Sequence, residues 1–339
     1  MKKILIVKLA SMGDVIASSP HAVGIKSSNS ECRVHLLTMD HMKPCAQLLD
    51  GYSYIHFVPS KFSILGLFST LKIFFRILFE GYNEVYNFHR NFYISFFLRL
   101  CNTGRVFSYK SHKIVRFFEI GLVEFSPFKN RTLQECEIIQ RSGTHIKFPV
   151  RLFLKSPMCS GFEATLEGDY ICVSLGGGNI HSDARSRIWP ILSYVSVIKA
   201  LPGKIVLVGA GEADQILADI VLKNVGDSDR VISLVNRCSL AQTASIIRSS
   251  KLFVGNDSGL AYVSAAVGAK TLVLFGPTPV SAALPLGKNV FHLTEKVACS
   301  PCYDPRDGLD GTMYKCTSNM CMQSLSIEKV LAKVRELVA

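Results

Sequence analysis

Apolar and polar positions along this chain follow a repeating rhythm. A short apolar run is followed by a polar turn rich in Gly, Asp or Ser, then by a longer segment with helical spacing. The rhythm is clearest in residues 251–286. Residues 252–254 are apolar and end in Gly255-Asn256-Asp257-Ser258-Gly259. Residues 260–267 are small and apolar throughout, as in a buried helix, and Gly268 stops them. A second apolar run, residues 271–275, ends in Gly276-Pro277-Thr278. The pattern predicts strand, tight turn, helix, strand, tight turn. In an open α/β sheet such turns lie at the carboxyl ends of the strands, where ligands bind. Backbone N–H groups at a helix N-terminus suit a phosphate. Asp and Ser also occupy such positions simply as caps.

The same pattern predicts a first strand at residues 3–7 and the turn Lys8-Leu9-Ala10-Ser11-Met12-Gly13-Asp14. A helix is expected over 15–26, with Pro20 tolerated in a short or kinked first part. Asp14 reads either as a helix N-cap or as a carboxylate able to act as a general base. A lone glycine in this turn is a weak nucleotide signal, and no GxGxxG is present. Further strands are expected at 33–38, 56–59 and 84–87. His89 and Arg90 follow the last of these, within reach of a ligand; for His89 alone a structural role is the commoner one. Residues 62–79 are strongly apolar, but Lys72 and Arg76 interrupt them four residues apart, on one helix face. That argues against a spanning helix and leaves two alternatives, a helix packed in the core or one lying along a bilayer surface. Residues 105–155 are rich in Arg, Lys and His with little periodicity, as in an anionic-acceptor surface or a solvated face.

Residues 156–168 read as a link. A strand at 170–175 leads into Gly176-Gly177-Gly178-Asn179, and the loop continues through Arg185 and Arg187 to Trp189, the only tryptophan. Guanidinium groups on such a loop can fork onto phosphate. A strand at 204–209 ends in Gly209-Ala210-Gly211-Glu212, where an acidic residue can accept from ribose hydroxyls. Residues 231–234 form a short strand, and Ser239 caps a helix over 240–249.

The length of 339 residues suggests two domains, and 48% hydrophobic residues can fill two cores. The expected division is 1–160, then 161–325 including a four-cysteine segment at 299–321, then a C-terminal helix at 326–339. Both domains read as α/β, doubly wound and Rossmann-like, with a ligand cleft between them. The net charge of +12 fits phosphorylated substrates or an anionic membrane face. No basic tail of the kind that binds nucleic acid is present. Seven of the eleven cysteines lie scattered in apolar contexts, as in a reducing cytoplasm. The other four, Cys299, Cys302, Cys316 and Cys321, have the spacing C-x2-C-x13-C-x4-C. That suits a structural zinc or iron knuckle, two disulfides, or four reduced thiols. The apolar part of the N-terminus is too short for a signal peptide.

The segments VKLASMGDVIASSP, RIWP, GAGEADQ, NRCSLAQTASII and FVGNDSGLAYVSAAVGAKTLVLFGPT, followed by the four-cysteine tail, occur in that order. Together they resemble glycosyltransferase family 9, the ADP-heptose:lipopolysaccharide heptosyltransferases. The resemblance implies a GT-B fold. It implies inverting, metal-independent transfer of a heptose or related sugar from a nucleotide diphosphate donor such as ADP-heptose. The acceptor would be a lipopolysaccharide-core or other lipid-linked glycan, and the enzyme would sit at the cytoplasmic face of the bacterial inner membrane. Carried over by position, Asp14 matches the general base, with Lys8, Ser11 and Gly13 beside it on the donor side. Arg187 stands where the family usually has a phosphate-binding Lys. Glu212 matches a ribose ligand, and Ser239 and Leu240 the adenine pocket. Asp257, Ser258 and Gly259 match the sugar and pyrophosphate turn, usually Asp-Thr-Gly. Gly276 and Thr278 match the second turn, which usually continues Asp-Pro but here runs Pro279-Val280. Tyr262 replaces a usual His. His89 and Arg90 fall on the acceptor side. No cofactor is implied for catalysis; a structural metal would sit on the four cysteines. Two alternatives remain open: a GT-B nucleotide-sugar epimerase, which would need further acid–base residues, and a non-catalytic glycan- or lipid-binding assembly protein, against which the retained Asp14, Asp257 and glycine turns speak.

Overall fold

A computed structural model of the chain describes residues 1–60, 64–89, 92–101, 104–110, 120–147, 149–155, 166, 168–177, 184–226, 229–302, 316 and 318–339. The chain divides into two units, Met1–Lys155 and Ser156–Ala339. In the first, the order is β1 (Lys3–Val7), α1 (Met12–Ala17), α2 (Ser19–Ser28), β2 (Arg33–Met39), α3 (Lys43–Ala46), β3 (Tyr54–Val58), α4 (Ile64–Glu80), β4 (Glu84–Asn87), α5 (Phe92–Leu100), β5 (Arg105–Tyr109), β6 (Ile120–Val123) and α6 (Arg131–Gln140). In the second it is β7 (Tyr170–Ser174), α7 (Ile191–Ala200), β8 (Lys204–Leu207), α8 (Glu212–Val225), β9 (Val231–Ser233), α9 (Leu240–Ser249), β10 (Leu252–Asn256), α10 (Gly259–Ala266), β11 (Thr271–Phe275), α11 (Val280–Ala283), β12 (Val290–Thr294), α12 (Met320–Gln323) and α13 (Ile327–Val338).

Each unit is built on a six-stranded sheet, ordered β3-β2-β1-β4-β5-β6 and β12-β11-β10-β7-β8-β9. The described strand pairs are all parallel. A parallel sheet is covered on both faces, so its central strands need apolar side chains on both sides. That is why β1, β10 and β11 read as unbroken apolar runs: every residue of β10 and β11 is buried. Counted from its own first strand, each unit has the same order. The chain steps outward for three strands, then returns beside the first and steps the other way. The reversal falls between β1 and β4 in one unit and between β7 and β10 in the other. Connections leave a reversal point in opposite directions and open a crevice at the strand ends. The turns after β1, β4, β7 and β10 therefore hold the ligand-facing positions of each unit.

Two expectations are corrected. The helix expected over 15–26 is two helices, α1 and α2, broken at Ser18, whose hydroxyl donates to the Val15 carbonyl at 2.7 Å. Pro20 lies in the first turn of α2, where its missing N–H leaves no bond unmade. Residues 105–155 are not simply a solvated basic face, since they supply β5, β6 and α6. Helix α6 buries Thr132, Gln134 and Glu135 beside Cys136, Ile138 and Ile139, so its inner face carries polar groups and hides the usual periodicity. Gly268 does end α10, at φ +81°, a left-handed conformation that favours glycine.

Candidate functional site

In the N-terminal unit the turn after β1 is held from several sides. The Lys8 N–H donates to the Leu37 carbonyl at 2.9 Å, and the Leu9 N–H donates to His89 Nε2 at 2.6 Å. Ser11 is the N-cap residue of α1, which places Gly13 and Asp14 in the first turn; Asp14 is therefore not the cap. The Ser11 hydroxyl donates to Asp14 Oδ2 at 2.8 Å. The other Asp14 oxygen accepts from Arg131 at the start of α6. Burial alone would raise the Asp14 pKa, but the charges of Arg131 and Lys8 and the bonds from Ser11 and Arg131 reverse this and hold it well below the ordinary range. Asp14 is thus a carboxylate at every physiological pH.

Behind this turn lies a buried ion cluster. Lys8 Nζ pairs with Glu135 Oε1, and His21 Nε2 lies 3.0 Å from Glu135 Oε2. All three side chains are buried. The positive charge of Lys8 and the contact with His21 outweigh burial and lower the Glu135 pKa. The Thr132 hydroxyl donates to the Ala17 carbonyl at 2.9 Å and straps α6 to α1. Lys8, expected on the donor side, is paired with Glu135. His89 accepts the Leu9 N–H, and burial, aided by Lys8, lowers its pKa to about 4. It is a neutral brace for the β1 turn. Arg90 lies outside the described residues.

In the C-terminal unit, Asn256 at the end of β10 organises the turn. Its side-chain oxygen accepts from the Trp189 N–H and the Tyr194 hydroxyl, each at 3.0 Å, while its amide nitrogen donates to the Leu175 carbonyl at 2.8 Å. Trp189 packs edge-on against Tyr194 of α7, as expected of an anchor. Arg187 Nη1 lies 3.4 Å from the Asp257 carbonyl and 3.8 Å from Asp257 Oδ2. Ser258 is the N-cap residue of α10, yet its hydroxyl makes no cap bond. Ser258 Oγ, Thr278 Oγ1, Arg187 Nε and Ser186 Oγ are buried without a hydrogen-bond partner among the described residues. Buried polar groups are nearly always satisfied, so orphans grouped on neighbouring loops mark a place where a polar ligand completes them.

Other expected donor contacts are placed differently. Glu212 opens α8 and is exposed. The carboxylate lying against the ends of β7 and β8 belongs to Asp214, which accepts from the Ala210 N–H at 3.0 Å. A Cβ on Gly176 would come within 1.8 Å of Asp214 Oδ1, so only glycine admits this carboxylate. Ser239 and Gln242 form a capping box at the start of α9, which occupies the Ser239 hydroxyl next to Leu240. The Tyr262 hydroxyl donates to the Ala283 carbonyl at 2.7 Å and ties α10 to α11. Arg185 has no described side chain.

The cysteine segment lies on the second turn. Ser300 Oγ donates to the Gly276 carbonyl at 2.7 Å, and the Cys302 N–H to the Pro277 carbonyl at 3.0 Å. Burial, with Cys302 and Cys316 nearby, raises the Cys321 thiol to about 11. Among the described residues Cys299, Cys316 and Cys321 form no disulfide. Among the described residues no group of three or more His, Cys, Asp or Glu side chains is placed to hold a metal ion. The segment supports the Gly276–Thr278 turn through these hydrogen bonds.

Residues 170–312, which contain the orphaned donors, match the model of glycosyltransferase family 9 (heptosyltransferase). The matched residues span most of the C-terminal unit, which is similar to that family. A lipooligosaccharide heptosyltransferase 2 of Campylobacter jejuni is 28% identical over 194 residues, covering 57% of each chain. The chain spans about half the length of the curated lipooligosaccharide heptosyltransferases that it matches. Solved structures share the fold over nearly the whole chain. ADP-heptose lipopolysaccharide heptosyltransferase II of E. coli has a TM-score of 0.75 at 14% identity, covering 100% of this chain and 98% of that one. The E. coli heptosyltransferase WaaC, solved with ADP, has a TM-score of 0.72 at 15% identity, covering 99% of both. The fold is the α/β GT-B class expected from the sequence. Sequence reasoning missed Arg131, Glu135, Asn256 and Asp214; for the first two the only signal was an Arg-x-x-x-Glu spacing on an unrecognised helix.

Proposed function

We propose that this protein is an inverting glycosyltransferase that moves a heptose or related sugar from a nucleoside diphosphate donor, ADP-heptose by analogy with its relatives, to a hydroxyl of a lipid-linked glycan. The observation that carries the reading is the set of polar groups in the C-terminal unit that are buried without a partner among the described residues: Ser258 Oγ, Thr278 Oγ1 and Arg187 Nε. An anionic diphosphate satisfies such donors, and α10 begins at the same turn with its N-terminal amides. In the proposed reaction an acceptor oxygen attacks the anomeric carbon, and its proton passes to the Asp14 carboxylate. The bond from that carbon to the diphosphate oxygen breaks, and the negative charge stays on the departing diphosphate. Arg187 and the backbone amides of the two turns stabilise that charge in fixed positions, so no step requires a metal ion.

Arg187→Ala is expected to weaken ADP binding by about ten- to hundredfold, the loss of one charge-assisted contact of roughly 1.5–3 kcal/mol. Titration calorimetry with ADP measures this directly. An unchanged affinity would remove Arg187 from the phosphate site and with it the main support for this reading.

Asp257 divides the donor into its two parts. Its carboxylate beside a diphosphate would be repelled, so it is proposed to accept from sugar hydroxyls. Asp257→Ala is then expected to leave ADP affinity intact or slightly higher, because Arg187 loses a competing partner 3.8 Å away. Affinity for the intact nucleotide sugar should fall at least about tenfold. Equal weakening toward both ligands would show a purely structural role.

A further inference from the structure

Helix α4 has two apolar faces, and only one of them is in the core. Ile77 is buried, with Ile73 and Phe74 beside it, in the cluster that holds Leu5, Val85 and Leu98. On the opposite side Phe68, Leu71, Phe75 and Phe79 are 60%, 44%, 50% and 83% exposed. Spacings of three, four and four residues place these four on one line along the helix. A helix facing water carries polar residues there; a helix that is apolar all round is covered on every side. Helix α5 packs beside it through Phe74 and Phe97, whose rings lie 5.3 Å apart, and adds the exposed side chains of Phe96, Arg99 and Leu100. No other described part of the molecule gathers so many exposed large apolar side chains.

The charges around this patch select what covers it. Lys72 and Arg76 are exposed next to the Phe line, and Arg99 is exposed on α5. No Asp or Glu occurs in residues 64–79 or 92–100. The first carboxylate, Glu80, is engaged by Lys3 at 2.9 Å. Pairing of this face with a second copy would bring cations toward cations with no carboxylate between them. An anionic bilayer supplies the missing charge in its headgroups and an apolar layer just beneath. Phe side chains reach that boundary, while Lys and Arg stems extend back to the headgroups. No described helix is long and apolar enough to cross a membrane, so α4 would lie along the surface.

We infer that the outer faces of α4 and α5 dock this protein on an anionic lipid bilayer. The surface contains none of the residues proposed for donor binding or proton transfer, so it stands or falls independently of the transfer chemistry. The test is co-sedimentation of the full chain with phosphatidylethanolamine vesicles containing about 30 mol% phosphatidylglycerol, against phosphatidylcholine alone. Wild-type protein is expected to bind the anionic vesicles and to leave the neutral ones. Phe75→Ser/Phe79→Ser should lower vesicle binding at least about tenfold, with the melting temperature unchanged because both side chains lie outside the core. Lys72→Glu should weaken binding to the anionic vesicles and reduce the preference for them. Wild-type protein that ignores anionic vesicles, or a Phe75→Ser/Phe79→Ser protein that binds as well as wild type, overturns the inference. So does a lipid-free dimer that the double substitution turns into a monomer, since the patch would then be an interface between copies.

Discussion

Asp14→Asn is expected to reduce sugar transfer by about 10²–10⁴-fold, the usual contribution of a positioned base, while ADP affinity stays within about twofold. The substitution keeps the side chain's shape and can keep an acceptor toward Arg131, so the turn after β1 should survive. What disappears is the anion that takes the acceptor's proton. The environment of Asp14 adds a second signature. Arg131 and Lys8 hold its pKa well below the ordinary value. A base that must be ionised loses activity only as pH falls through its own pKa. The acid limb of kcat/KM assigned to Asp14 should therefore lie below the ordinary Asp value of about 3.9. Arg131→Gln should move that limb upward, toward the ordinary value, by removing the largest favourable charge. A strongly paired carboxylate is also a weak base, so proton transfer by Asp14 requires Arg131 to loosen its hold as the acceptor arrives. Steady-state rates across pH for wild type, Asp14→Asn and Arg131→Gln measure both effects. An Asp14→Asn enzyme keeping more than about a tenth of wild-type rate would be incompatible with the base assignment.

Glu135→Gln should cost roughly 3–5 kcal/mol of folding stability, because it leaves the buried Lys8 ammonium without a compensating charge. Urea unfolding of the two proteins reads this out. Lys8→Met/Glu135→Leu should recover most of the loss, since replacing both partners with apolar groups leaves no orphan charge. Full destabilisation in the double variant would show that packing of α6, not charge pairing, sets the cost. The pH dependence follows from the direction of the shift. The folded Glu135 pKa is lowered, so its contribution to stability is complete above the unfolded value of about 4.3 and is lost as pH falls through the lower folded value. Wild type should therefore lose stability in acid over a window that Glu135→Gln lacks.

The strand–turn–helix rhythm was legible in the sequence because buried parallel strands cannot carry alternating polar residues. The runs at 3–7, 84–87 and 271–275 coincide with β1, β4 and β11. The ends of other strands shift by a residue or two, where apolar side chains continue into the turn. The turns that hold Asp14 and Asp257 were visible for the same reason. Their partners were not. Arg131 reaches Asp14 across 117 residues, and nothing local in α6 indicates which way it faces. The choice between Glu212 and Asp214 depends on where α8 begins. In a helix starting at Glu212, the first residue is exposed and the third folds back onto the strand ends. Helix α4 was ambiguous in sequence because it is apolar on two faces, and composition cannot say which of them the sheet takes.

The bonding of Asn256 bears on how this chain can vary. Its side chain accepts from a backbone N–H and a tyrosine hydroxyl and donates to the end of β7. Aspartate lacks the donor, leucine lacks both functions, and glutamine is one methylene too long for a fully buried position. A saturation library at this codon would be strongly depleted of everything but asparagine. The adjoining position 257 would tolerate replacements that spare the fold and change only what the turn holds. Two consecutive codons would thus carry separable selections, one for the scaffold and one for the cargo.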